Sequence, residues 1–582
     1  MWFTSRVQHR NQRRIYARER RFVPRLESLE DRTALSTLTV LNNLDSGAGS
    51  LRDAIVHAKN GDTINFAPSL DGQTITLTSD QLTINKSLDI EGPGAGLLSV
   101  SGNDTNRVFA INEGFTVTIA GLTITHGRSR GGHESAGGGG ILNAGSTLNV
   151  VNDIFSYNID LGSSEGAHGG AIGNFHRDGI LTATDCTFIG NRADGTVNKG
   201  VFAEGGAIYN SPEGSSATVI RCTFMDNQAL AGNGTVATSG NNESGEANGG
   251  ALHNQGPSTL TVRDSTFIGN QAVGGSGGSA QQAIGFYLLD NGFGGAISND
   301  IGTGALVVSG CTFSYNQALG GSNSAGNTSG QGFVGDGSGG ALGINQPATI
   351  TNCTFDHNVA LGGSGNSSGG NLTVVGRGIG GAIQSTAVEG SQTILAVSGC
   401  TFTNNQAVGG NGNTGTPFVN EGFGGAIDNI GGAAATITDS TFSGNQAIGG
   451  QGGAGQKGGS GLGGALNNFG GSSLTLQGCS LSGNQATGGA GGSGANGGNG
   501  FGGGVYNDGL STITMLTSTI TGNQAIGGAA GSGATAGQGI GGGVYFASGG
   551  VACLDLFTST NITGNAASTS NNDVFGVFTI GP

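Results

Sequence analysis

Along most of this chain, apolar residues fall singly or on alternate positions between glycines, asparagines and serines, as in Gly205–Asn227, GGAIYNSPEGSSATVIRCTFMDN. Apolar spacing in that stretch never reaches helical length or a 3.6-residue period, so the unit is predicted as short strands. Its first half returns as GGAIGN at Gly169, GGALHN at Gly249, GGAISN at Gly294, GGAIDN at Gly424, GGALNN at Gly463 and GGGVYN at Gly502. Its second half, CTFxxN, returns at Cys186, Cys311, Cys353 and Cys400, with STF at Ser265 and Ser440. Weaker copies surround Phe155, Leu481, Ile520 and Ile562. Self-similarity at a period of roughly 35 to 47 residues marks a repeat architecture.

Alternation within the copies predicts which way each side chain faces. If Ile208 points inward, Gly206 and Asn210 share its side while Ala207 and Tyr209 lie outside. In LTVRDSTF, Leu260 and Val262 share one face and Ser265 and Phe267 another, so the phase breaks at Arg263 and Asp264, and again before Asn270. Such breaks read as corners, and three short strands bent at Asn, Asp and Gly make one coil of a solenoid. Coils stacked about 4.8 Å apart place Phe on Phe, Cys on Cys and Asn on Asn. The predicted asparagine ladder is Asn158, Asn191, Asn227, Asn270, Asn316, Asn358, Asn405, Asn445, Asn484, Asn523 and Asn565. Each amide would be satisfied by the coils above and below, where an unpartnered buried amide costs roughly 1 to 3 kcal/mol. The expected fold is all-β: a right-handed parallel β-helix of the pectate-lyase-like kind, with a short helix in an N-terminal cap.

The paired GGAI and FxxN repeats resemble those of the polymorphic outer-membrane protein family, whose passenger regions are β-helices displayed on bacterial surfaces. The resemblance covers residues 138–566 and implies the same fold and a surface location.

The remaining segments divide around that body. Residues 37–68 read as a cap, in which Ser50 and Asp53 form a capping box, Leu51, Ala54, Ile55 and Ala58 make an apolar stripe, and Asn60 with Gly61 ends the helix. This segment is similar to the SLREA-type stretch that precedes many bacterial surface β-helices. Irregular first coils follow over 69–137, and 567–582 forms a C-terminal cap through Val574, Phe575, Val577 and Phe578. Residues 1–36 are expected to be a disordered basic targeting segment. Within it, RRFVPRLESLEDRTALS (Arg20 to Ser36) resembles an N-terminal motif of surface and extracellular proteins of planctomycete bacteria, which implies export to the cell surface or beyond.

Net charge is −15, yet the first 32 residues carry nine arginines against four acids and stand at +5, leaving −20 on the remainder. An acidic, Lys-poor body argues against nucleic acid or anionic lipid as partner. No stretch approaches the roughly 20 apolar residues of a membrane-spanning helix. Between each closing Asn and the next GG lies a Gly-, Ser- and Asn-rich insert, read as loops along one edge of the solenoid. Six of the seven cysteines share one repeat position with Ser265 and Ser440 and read as small buried fillers. The inserts lack the regular Asp of calcium-binding arrays, and no phosphate-binding loop is present, so neither metal nor cofactor is expected.

Two groups of residues carry candidate chemistry. His168 and His176, with Asp178, lie in the coils richest in His and acid, as an acid/base set for polysaccharide cleavage. No column of Asp or Glu supports them: Asp185, Asp264 and Asp439 share a corner column, but Arg221, Gly310, Asn352 and Gly399 intervene. The outward column after GGAI includes Tyr209, His253, Gln384, Asp428, Asn467, Tyr506 and Tyr545, rings and hydrogen-bonding groups suited to carbohydrate or other surface polymers. The sequence thus favours a secreted or surface-displayed structural or adhesive protein without catalysis. The alternative is a β-helix polysaccharide lyase or glycoside hydrolase.

Overall fold

The computed structural model describes residues 35–130, 137–238, 243–283, 286–300, 302, 304–327, 331–370, 373–387, 393–415 and 418–581. The expectation of disorder in the basic head therefore falls, but for Leu35 and Ser36, outside the described residues. One coil runs, in chain order, through strands Ala203–Glu204, Ile208–Asn210, Ser216–Ile220, Thr223–Met225 and Gln228–Leu230. Each pairs in parallel with its counterpart one coil on: Ala203 with Ala247, Ile208 with Leu252, Ser216 with Thr259, Thr223 with Thr266 and Gln228 with Gln271. Among the described residues, stacking builds sheets of 10, 14, 16, 14 and 12 strands respectively. The protein is a right-handed parallel β-helix with more faces than the three expected.

Corners fall where the hydrophobic phase breaks. Asp185, Arg221 and Asp264 hold φ between 50° and 55°, Gly310 and Gly399 take the same column at 64° and 62°, and Asp226 holds 53° at the next corner. The left-handed region suits Asp, Asn and Gly, which fill the Asp185 column apart from Arg221 and Thr517. Asp185 and Arg221 close a bidentate pair at 2.7 and 2.8 Å across adjacent coils.

Inside, Phe155, Phe188, Phe224, Phe267, Phe313, Phe355, Phe402 and Phe442 are fully buried. Their rings stack face to face, Phe188 on Phe224 at 4.6 Å and 2°. Beside them runs the asparagine ladder. Asn191 donates through Nδ2 to Asn227 Oδ1 at 3.0 Å on one neighbouring coil and to the Phe155 carbonyl at 2.9 Å on the other. The pattern holds from Asn158 to Asn565, whose amide ends it on Asp573 Oδ1 at 3.0 Å. A second ladder stands in the GGAI strands, through Asn143, Asn174, Asn210, Asn254 and Asn299 and again through Asn429, Asn468 and Asn507. Ile344 and Ser385 interrupt it, and the Asn299 amide nitrogen is left without a partner at the break.

Two expectations about the outside are corrected. Ala207 is buried in the main core, and Tyr209 is buried as well. Ala207 precedes the strand that starts at Ile208, just after the turn at Gly205 (φ 63°), so strand alternation does not reach it, whereas Tyr209 is covered because the Gly-rich inserts fold back as a packed layer instead of loops. Ala193, Ala229 and Ala272 of one sheet face Ala167, Ala203 and Ala247 of the ten-stranded ridge, with no exposed surface on any of them. A Cβ on Gly206 would be driven into the Gly250 carbonyl and the Gln228 backbone, and one on Gly321 into the Gly275 carbonyl. Only glycine lets two such backbones approach.

At the N-terminal end, Thr37–Val40 and Asp62–Phe66 already belong to the 16-stranded sheet. Helix α1 (Leu51–His57) covers the open core with Leu51, Ala54 and Ile55, and Ser50 Oγ accepts from the Asp53 amide at 3.2 Å. The helix ends at Ala58, before Asn60 and Gly61. At the other end, Val574–Phe575 and Thr579–Ile580 add rungs to the last full coil. Val574 and Phe578 pack on the core, whereas Val577, expected in the cap, is 85% exposed. No helix among the described residues is long and apolar enough to cross a membrane.

All seven cysteines are free thiols. The stacked position has one task, to accept the amide of the neighbouring coil: Cys186 N donates to Cys222 Sγ at 3.4 Å and Cys222 N to Ser265 Oγ at 3.0 Å. Cys and Ser both do this, which explains their interchange. Replacing Cys353 by Ser is expected to change unfolding free energy by less than about 1 kcal/mol. In the folded protein a thiol reagent should reach Cys553 alone, the one cysteine that is not fully buried. Fast modification of several thiols would contradict this packing.

Candidate functional site

The position just before each GG is apolar in later coils, as Phe293, Ile379, Phe423, Leu462, Phe501 and Ile540, except for Ser338 between the first two. In the early coils it is His168, Glu204 and Asn248. Strands Ala167–His168 and Ala203–Glu204 pair in register, so His168 sits directly against Glu204. Its Nδ1 lies 3.1 Å from Glu204 Oε2, its Nε2 is 3.2 Å from the Glu165 carbonyl, and its backbone amide donates to Asp160 Oδ2 at 2.6 Å. Asp160 in turn accepts from Ser129 Oγ at 2.5 Å.

Rings close around this pair. The centroid of His168 is 4.6 Å from that of Tyr209, 5.8 Å from Phe202 and 6.3 Å from Phe175. Tyr209 stacks on His253 at 5.7 Å and donates its hydroxyl to Gln255 Oε1 at 2.7 Å. His253 is sealed beneath, its Nε2 3.6 Å from Glu204 Oε1, with neither ring nitrogen hydrogen-bonded. Above the pair opens a cleft of about 390 Å³, whose rim carries His176 and Glu213, Nδ1 to Oε2 at 3.1 Å.

The charges at the floor hold one another in place. Burial opposes ionisation of His168, but the Glu204 hydrogen bond and the charges of Glu204 and Asp160 outweigh it and lift the imidazole above its ordinary range. Burial likewise works against a charged Glu204, yet His253 and His168 keep its carboxyl below the usual range. Burial and the Glu204 charge push the Tyr209 phenol well upward, so it stays a neutral donor.

Of the proposed acid/base set, His168 and His176 meet in this cleft. Asp178 does not: it is exposed on a turn and lines no part of it. The carboxylates that do are Glu165, Glu204 and Glu213. No motif marks Glu204, because it ends an insert, and the only signal is the polar intrusion into an apolar column. Among the other early histidines, His126 lies against Tyr157 at 5.7 Å, and His133 falls outside the described residues.

The proposed outward binding column is corrected too. Gln384, Asp428 and Asn467 are 6%, 0% and 1% exposed, roofed by Ile379, Phe423 and Leu462 of the ridge. Asn467 Nδ2 donates to Asp428 Oδ1 at 2.5 Å. Burial raises Asp428 to about 7, against the pull of that hydrogen bond and of Arg377. Tyr506 and Tyr545 keep partial exposure and stack at 5.3 Å and 15°. Alternation put this column opposite the core correctly, but the insert layer then covered it.

No protein-family model matches the chain, and no curated protein matches it. Similar solved structures include a mannuronic acid specific polysaccharide family 6 lyase from human gut microbiota, 11% identical over 76% of this chain and 87% of that one, TM-score 0.34. Another is the PL6 family alginate lyase AlyGC, 11% identical over 90% of each chain, TM-score 0.26. A third is ORF18 of Geobacillus virus E2, 13% identical over 74% of this chain and 59% of that one, TM-score 0.27. At these values the likeness says nothing of this chain's activity.

Proposed function

We propose that this protein is exported, displayed at the cell surface, and holds carbohydrate, with the cleft over His168 and Glu204 as the place where a glycan segment sits. Export and display rest on the arginine-rich head and on the GGAI/FxxN resemblance. Binding rests on one observation: Phe175, Phe202 and Tyr209 converge with Gln255, Ser211 and Glu213 around one cleft. Rings take the apolar faces of sugars while amide, hydroxyl and carboxylate groups take their hydroxyls. The cleft volume lies within the roughly 300 to 1,000 Å³ usual for small-ligand sites.

Calorimetric titration of the full chain with a panel of oligosaccharides tests this. Phe202→Ala should weaken the bound glycan by about three- to tenfold, the range of one ring contact. Leu510→Ala, an exposed residue in a distant coil, should leave binding unchanged. Equal losses in both variants, or no binding by any glycan, would end the reading.

A second reading, cleavage by lyase or hydrolase chemistry, is favoured by the His176–Glu213 pair. A carboxylate-oriented imidazole lining a cleft is a general base or acid. His168 is poorly placed for that role because both its ring nitrogens are engaged. If cleavage occurs, His176→Ala should abolish release of new reducing or unsaturated ends while the glycan still binds. Absence of product from every polymer that binds would leave binding as the function.

A further inference from the structure

Resting on the carbohydrate reading, we propose that the sugar unit seated in the cleft is cationic: an unsubstituted 2-amino sugar, as in a deacetylated, chitosan-like polymer, and not a uronic acid. The lining chemistry carries this. Three glutamates, Glu165, Glu204 and Glu213, line the cleft, and among the described residues no lysine or arginine does. The nearest cations in sequence are otherwise disposed. Arg192 is paired with Asp194 at 2.7 Å, and Arg177 and Lys199 lie on flanking turns that do not line the site. Of the two histidines present, His168 is turned to Glu204 at the floor and His176 to Glu213 at the rim. Glutamates thus outnumber the basic side chains along the lining.

Rings complete the argument. Phe175, Phe202 and Tyr209 already surround one basic group, the His168 imidazole, at 4.6 to 6.3 Å. Aromatic faces attract a cation through their quadrupole, and with carboxylates beside them they form the common cage for an ammonium group. A uronate carboxylate placed there would face like charges without a donor from Lys or Arg to hold it. The field of the whole body points the same way: at −20 beyond the basic head, it draws a polycation in and repels a polyanion.

The deciding experiment titrates the full chain with glucosamine oligomers, their N-acetylated counterparts and uronic-acid oligomers of equal length, at two salt concentrations. The amino oligomer should bind roughly tenfold tighter than the acetylated one, the margin between a charged and a neutral hydrogen-bonded contact, and the uronate should not bind. Glu213→Gln, a rim residue nearly half exposed, should erase most of that margin and weaken the acetylated oligomer far less, by the loss of one neutral contact. Asp439→Asn, an acid on the distant corner column, should change nothing. Equal affinity for amino and acetylated oligomers, preference for the uronate, or an equal loss in Asp439→Asn would overturn the cationic assignment while the glycan reading survives. Binding of none of the three would likewise overturn the cationic assignment, and the glycan reading falls with it only if the wider oligosaccharide panel also fails to bind.

Discussion

Asn316→Ala should lower the unfolding free energy by about 3 to 6 kcal/mol, because one side chain serves four buried hydrogen bonds. Asn316 Oδ1 accepts from the Asn270 backbone amide at 3.1 Å and from Asn270 Nδ2 at 2.9 Å. Its Nδ2 donates to the Phe267 carbonyl and to Asn358 Oδ1, both at 3.0 Å. Truncation strands two donors of Asn270 and the Phe267 carbonyl, each costing about 1 to 3 kcal/mol where no water reaches. By contrast Gln317, which forms an outward ladder on Gln271 at 3.0 Å and is half-buried, should tolerate alanine within about 1 kcal/mol. Because each coil touches only its neighbours, the damage should stay local. Hydrogen exchange should quicken in the strands of Phe267, Phe313 and Phe355 and stay unchanged beyond Gly500. A loss below about 1 kcal/mol would mean that the ladder is filler and the phenylalanine stack alone holds the coils in register.

Raising pH from about 5 to 9 should destabilise the protein by several kcal/mol, opposite to the usual behaviour of proteins rich in paired carboxylates. Burial lifts Asp428 to about 7 and Glu421 to about 8. Asn467 and Arg377 offset this only partly at Asp428, as do the Ser460 amide, Arg377 and Lys457 at Glu421. One oxygen of each carboxyl is enclosed without a hydrogen-bond partner. For a raised native pKa the native state keeps its proton over a range where the unfolded chain has released it. Stability is therefore full below about pH 4 at these two sites and is lost as pH climbs through 7 and 8. Each tenfold gain in a carboxylate's proton affinity on folding corresponds to about 1.4 kcal/mol. His168, also raised, adds in the same direction. Asp428→Asn keeps the shape and removes the titration, so its stability should fall less steeply between pH 4 and 7. Denaturation midpoints measured across this range decide it: a flat or rising profile in the parent protein would rule out neutral carboxyls at these positions.

Both predictions concern groups whose visibility in the sequence differs. Asn316 was legible, because its place three residues beyond Phe313 recurs in coil after coil, and a stacked fold turns that recurrence into hydrogen bonds. The same logic gave the phenylalanine stack, the corners at Asp and Asn and the interchange of Cys with Ser, while the helix of the N-terminal cap was legible from its capping box and apolar stripe. Asp428 was legible as a rung, but its environment was not. Alternation says which side of a strand a residue occupies, and only the folded inserts say whether that side meets water. Their sequences are low in periodicity and high in glycine, a composition that suits loops and close-packed backbone alike.

The candidate site divides along the same line. His168 and His176 were drawn from a region rich in His and acid, and they do share a cleft. Glu204, Glu213 and Gln255 come to it from the turns and ridges of neighbouring coils, and Asp178, close in sequence, turns away into solvent. Sequence alone determined the stacking of coils, their register and their asparagine and phenylalanine ladders, since period and hydrogen-bonding need are written at every repeat. Only the tertiary structure decided that the glycine inserts form a second layer, that the outward column is sealed beneath it, and that a cleft opens where His168 and Glu204 replace an apolar ridge. Those outcomes depend on how closely non-repeating backbones can approach, a property of three-dimensional packing that no local pattern encodes.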